Sequence, residues 1–167
     1  MMRSRTKALT AIALLTSLGI VFGYLEFLLP IPIGIPGIKL GLANLVVVFA
    51  LYAWRPRYAL VVSLLRILLC GILFGNSVSF LYSLAGGMVS FLIMLLMKRF
   101  TSFGICAVSM HGGVSHNVAQ IFVAALIFEN LRLAYYLPVL LIAGTITGFA
   151  LGIVAKMILQ RMKKAHN

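Results

Sequence analysis

The sequence predicts an all-α integral membrane protein, one domain over residues 1–167 with six transmembrane helices and both termini in the cytoplasm. Three observations predict it. Of the 167 residues, 63% are hydrophobic, and the mean hydropathy is +1.14. Apolar runs of about 20 residues, the length a helix needs to cross a bilayer, recur along the whole chain. Eleven of the fourteen Lys and Arg residues sit at or near the ends of those runs: Arg3, Arg5, Lys7, Arg55, Arg57, Lys98, Arg99, Lys156, Arg161, Lys163 and Lys164. That is the positive-inside pattern of a membrane protein. It argues against nucleic acid as a partner despite a net charge of +12.

The first span is expected over residues 8–29, after the basic MMRSRTK. A basic start and an apolar run resemble a signal peptide, but this run is too long and five more follow, so it reads as a retained helix. Ala13/Ser17 and Gly19/Gly23 lie four apart on one face, where another helix could approach closely. Prolines 30, 32 and 36 stiffen the loop PIPIGIPGIK, because proline fixes its own φ and extends the residue before it. The second span, 40–54, is short, and a short Gly/Pro-flanked segment often belongs to a binding site inside a bundle. The third, 58–74, follows the basic turn WRPR, and FGNS then makes a tight outer turn. The fourth, 78–97, contains Gly86-Gly87 and stops at Lys98-Arg99. The fifth, 104–128, closes with ENLR. The sixth, 133–159, carries Gly144, Gly148 and Gly152 as a small-residue stripe and ends in a basic tail. Basic inner loops alternate with outer loops holding Glu26, Lys39, Glu129 and Arg132, which fixes the orientation. No internal repeat is visible, so an inverted-repeat transporter plan has no support.

Composition excludes much chemistry. The chain has two acidic residues, both glutamate, and no aspartate. Metal-dependent phosphoryl or prenyl transfer needs clustered carboxylates, and paired-carboxylate hydrolysis needs two that meet; Glu26 and Glu129 lie on different connections. Cys70 and Cys106 are expected near opposite membrane faces, which forbids a disulfide or a shared metal. No P-loop is present, so any ATP must be handled by another chain. Neither a catalytic residue nor a cofactor is expected.

The candidate binding residues are the polar groups that the membrane should not tolerate without a reason. Arg66 falls near mid-bilayer, where a charge costs at least about 2.5–3.5 kcal/mol. It either pairs with Glu26, tying the third helix to the end of the first, or receives an anion. The stretch SMHGGVSHNVAQ opens the fifth span, and helical spacing puts Gly112, His116, Gln120 and Ala124 along one face with Asn117 beside them. Such a face suits a polar cavity wall or interhelical hydrogen bonds. His111 lies about 140° away from His116, a poor arrangement for sharing a metal. Lys39 closes the stiff loop, and Asn44 follows it into the membrane; an interfacial lysine is often only snorkelling. Lys39, Arg66 and the polar face make the outer half net positive, with Glu26 in partial compensation. That points to an anionic or acceptor-rich small molecule. Tyr24, Phe27, Trp54 and Tyr82 are either stacking surfaces for a flat ring or interface anchors.

The order of a small-residue helix, a Glu near its outer end, a proline-rich loop and IKLGLANL resembles the substrate-binding S components of energy-coupling factor (ECF) vitamin transporters. With HGGVSHNVAQ added, the chain is similar to the Gx transporter family, whose members are often labelled heptaprenyl diphosphate synthase component I. The resemblance covers nearly the whole chain. It implies a six-helix S-component bundle with an outward-facing pocket under the first loop and no catalysis of its own. It also implies a transmembrane coupling subunit and two ATPases as partners, contacted through Ala13 and Ser17, with serine where the family pattern has a small alanine. The synthase label conflicts with a chain lacking the Asp-rich metal motif of prenyl synthases.

Overall fold

A computed structural model describes residues 2–28, 39 and 41–166. Among these the chain is helical with no strands: α1 (Met2–Leu28), α2 (Asn44–Ala53), α3 (Pro56–Leu73), α4 (Ser77–Phe100), α5 (Ile105–Ile127), a 3-10 turn (Leu131–Tyr136) and α6 (Leu137–His166). The stiff loop expected over residues 30–38 lies outside the described residues. Four stretches are long and apolar enough to cross a membrane: Thr6–Leu28, Pro56–Leu73, Ser77–Phe100 and Leu131–Lys164. The 23-residue α5 is comparable in length, but its polar SMHGGVSHNVAQ dilutes its apolar character. The chain is a helical membrane protein.

Local sequence sets the helix ends. Pro56 begins α3, where its missing N–H costs nothing and its fixed φ suits the helix. Asn76 caps α4 by accepting from Ser79 N at 2.7 Å. Glu129 takes a positive φ of 48° after α5, and Asn130 then accepts from Arg132 N to start the 3-10 turn. The sixth helical element therefore starts slightly earlier than the span read at 133–159, with one tighter turn before α6.

Contacts between helices show that successive helices alternate in direction. Gly19 and Gly23 of α1 meet Arg66 and Cys70 of α3, so those two run parallel. Gly86 and Gly112 match α4 against α5 in opposite senses, through His116 and Met94. The expected stripe of α6 is packed onto the α5 backbone: Gly144 faces Gly113, Gly148 faces Ser109 and Met110, and Gly152 faces Cys106. A Cβ at Gly113 would run into the Gly144 carbonyl, so no side-chain layer separates these helices.

At the centre stands α2. It packs against α1, α3, α4, α5 and α6, and every residue from Asn44 to Leu51 is buried. A helix apolar on all sides is one surrounded by protein. Its ten residues rise only about 15 Å, half the hydrocarbon thickness, so its ends fall inside the bundle. Each end is closed by a charged side chain of the matching sign. Glu26 accepts from Gly41 N and Leu42 N in the turn before α2, and Lys98 of α4 donates Nζ to the Leu51 carbonyl at the other end. A carboxylate at the N-terminal side and an ammonium at the C-terminal side both oppose the helix dipole. Lys98 also stacks over the Tyr52 ring at 4.7 Å.

Candidate functional site

The residues singled out in the sequence converge around the N-terminal end of α2. Arg66 reaches across from α3 and donates Nη2 to Asn44 Oδ1 at 2.7 Å. Asn44 passes the connection on, donating Nδ2 to Ser90 Oγ of α4 at 3.3 Å. Arg66 is 6% exposed, and among the described residues its Nε has no hydrogen-bond partner. Arg66 and Glu26 act on each other electrostatically, yet each spends its hydrogen bonds elsewhere. The direct ion pair that the sequence allowed is replaced by a relay through the α2 turn.

A second network comes from α5. Gln120 Oε1 accepts from Lys39 N at 3.2 Å, and Gln120 Nε2 lies 2.9 Å from His116 Nε2. With its oxygen committed to Lys39, Gln120 must donate to the imidazole. His116 Nε2 is then the acceptor, and the ring proton sits on Nδ1. The imidazole lies against Gly86, where an added Cβ would stand 2.7 Å from the ring. Gly41 joins the two networks, flanked by the Asn44 amide and the His116 ring. Its φ of +85° is one that a side chain would strain, so glycine is needed there.

Asn117 stands apart from both networks. It donates Nδ2 to the Leu140 carbonyl of α6 at 2.7 Å, and among the described residues its Oδ1 has no partner. Lys39 is half-buried above the cluster. Burial pushes its ammonium below the usual lysine range, with the Glu26 charge acting in the opposite direction. Cys70, one turn beyond Arg66, shares the field of Arg66, Lys39 and Glu26. Within the cluster, two cations face one carboxylate.

Ala13 and Ser17 are exposed on the outer face of α1, and Ser17 Oγ donates to the Ala13 carbonyl at 3.0 Å. His111 is also exposed, stacked on Phe103 with centroids 5.7 Å apart and Nδ1 on the Ala107 carbonyl. It borders a groove of about 570 Å³ between α4, α5 and α6 that His116 does not line. Both cysteines are free, and among the described residues no group of three His, Cys, Asp or Glu could hold a metal. Tyr82 is fully buried rather than placed at a membrane boundary, and its hydroxyl has no partner among the described residues. Sequence reasoning missed Ser90 and the housing role of Gly86. The Gly86-Gly87 pair in the sequence was the available signal for the second.

Residues 15–158 match the family described as heptaprenyl diphosphate synthase component I. The chain belongs to that family. No curated protein and no solved structure gives a significant match. The component I match runs from the middle of α1 to near the end of α6, so it takes in the helices that build the cluster.

Proposed function

We propose that this component I protein is a membrane-embedded substrate-binding subunit, S-component-like, for uptake of a small anionic or vitamin-like molecule. The observation that carries the reading is Arg66: a buried arginine at the start of the central half-helix, with one donor unpaired among the described residues and a net positive surrounding. A discontinuous helix whose N-terminal end lies within the bundle is a recurrent way to hold an anionic group in a membrane. The six helices cross the membrane in alternation with both termini in the cytoplasm. The ligand enters from outside. Glu26, Lys39, Asn44, Arg66, His116 and Gln120 form the pocket, and Asn117, expected with them, instead ties its α5 wall to α6. The subunit performs no catalysis itself. Ala13 and Ser17, open on α1, offer a shallow face to a transmembrane coupling subunit served by ATPases.

Mass spectrometry of small molecules retained by the purified protein tests this directly. The wild type should carry an anionic compound that Arg66→Ala and Gln120→Ala both lose. Identical extracts from all three would sink the pocket.

The family description favours a second reading, since "component I" implies a partner component. In that reading the chain is a non-catalytic membrane accessory in prenyl diphosphate, quinone or membrane redox metabolism. Co-purification with a prenyl synthase subunit, and with no ATPase module, would select it over uptake.

A further inference from the structure

The turn feeding α2 already holds a carboxylate, and that carboxylate belongs to the protein. Glu26 Oε1 accepts from two successive amides, Gly41 N at 2.6 Å and Leu42 N at 2.8 Å. Successive backbone N–H groups around a left-handed residue form a concavity that binds anions, and Gly41 supplies the left-handed residue. The positive end of the α2 dipole adds to it. Independently of that geometry, the Arg66 guanidinium is fixed at this same end of α2 through Asn44. It is 6% exposed and keeps Nε without a partner among the described residues. A buried guanidinium edge with a free donor points to an acceptor that is not a side chain of the cluster. Lys39 and Arg66 together outnumber the single carboxylate, so the place is built for more negative charge than Glu26 brings.

We propose that the Gly41–Leu42 turn, with Arg66 beside it, is a carboxylate seat for which Glu26 is a tethered stand-in that the ligand's own carboxylate displaces. This deepens the uptake reading and rests on it for the ligand, though the seat itself is testable without one. It changes the role of Glu26. As a contact for the ligand, Glu26 would be needed for binding; as a tethered competitor, it holds the seat closed until a carboxylate takes over. It also links binding to motion: Glu26 belongs to the outer end of α1, so displacing it frees that end from the turn before α2. A tethered group competes at high effective concentration, so the intact protein should ignore simple carboxylates.

The test is chemical rescue on the full chain in detergent or nanodiscs, with sodium acetate as the probe and sodium chloride at equal ionic strength as the control. Glu26→Ala should melt below wild type. Acetate should raise its midpoint saturably by at least about 3 °C. Chloride should not, wild type should not respond, and adding Arg66→Met should remove the response. Glu26→Gln keeps an oxygen for both amides and supplies a second folded background, in which acetate should act at higher concentration than in Glu26→Ala. Absence of a saturable acetate response in these backgrounds overturns the seat, and so does an equal response in wild type. An acetate response in a protein that retains no small molecule would leave the seat standing and remove the uptake reading. A retained anion lost in Arg66→Ala, with no acetate response, would do the reverse.

Discussion

The Asn44–Arg66 bond is the joint on which the candidate site depends, and a double-mutant cycle measures it. In the structure, Asn44 is the one side chain that accepts from the buried guanidinium, at 2.7 Å among the described residues. Asn44→Leu therefore leaves a buried cation without its acceptor, while Arg66→Met leaves an amide oxygen without its donor. Removing both should be much milder, because apolar groups of similar shape leave nothing unsatisfied. Neutral interhelical hydrogen bonds in membranes average about 0.6 kcal/mol, since the unfolded segments find other partners in lipid. A hydrogen bond to a charged group is worth about 1.5–3 kcal/mol. The coupling energy should fall in that higher range, with the double variant within about 1 kcal/mol of wild type. Thermal unfolding of the purified protein reads it. At this chain length each 1 kcal/mol moves the midpoint by roughly 2–4 °C, so Asn44→Leu alone should be visible. Additivity within about 0.5 kcal/mol would refute the reasoning, because it would mean that the guanidinium does not depend on Asn44.

Two further outcomes follow from the same geometry. Gly86→Ala gains about 1 kcal/mol of helix propensity, but its Cβ would stand 2.7 Å from the His116 ring. Overpacking of about 1–3 kcal/mol and the disturbed Gln120 bond should leave the variant less stable in a melting experiment; a more stable variant would show that the imidazole is not held there. Burial lowers the Lys39 ammonium from its ordinary 10.5, so the folded protein loses this proton at lower pH than the unfolded chain. Between that lowered value and 10.5 the unfolded state binds more protons, and stability should rise with pH. The midpoint of wild type minus that of Lys39→Met should become more positive across that window; a value that stays constant or falls would contradict the burial of Lys39.

Much of the fold was legible because membranes impose simple lengths and charges. The close faces at Gly19/Gly23 and at Gly144/Gly148/Gly152 could be read from spacing alone, since four residues return a helix to nearly the same side. The WRPR turn was legible because Pro56 can begin a helix but not continue one. The 3-10 turn over Leu131–Tyr136 was not, since LRLAYY holds no Gly or Pro to set it apart from the helix that follows. The site was legible as a set of residues and not as a wiring diagram. Polarity in an apolar span exposes Arg66, His116 and Gln120. Nothing local indicates that Arg66 turns to Asn44 while Glu26 turns to the backbone of Gly41 and Leu42. Those partners are separated by 15 to 22 residues and meet only because α2 stops halfway through the bundle. Ser90 and Lys98 escaped for the same reason: one looked like an ordinary small polar residue, the other like a topology signal.

The bare seam between α5 and α6 has a mechanical consequence. Two helices separated by side chains can slide, because rotamers absorb the displacement. Here the backbones themselves are in register, Gly113 on Gly144 and Gly148 on Ser109 and Met110. Advancing α6 by one residue along its own screw would bring a Thr147 or Phe149 side chain to where even a single Cβ lies 2.7 Å from the Ser109 carbonyl oxygen. The pair therefore behaves as a fixed post. The seam between α1 and α3 is different: there the Arg66 and Cys70 side chains fill the space beside Gly19 and Gly23, and rotamer changes can absorb a shift.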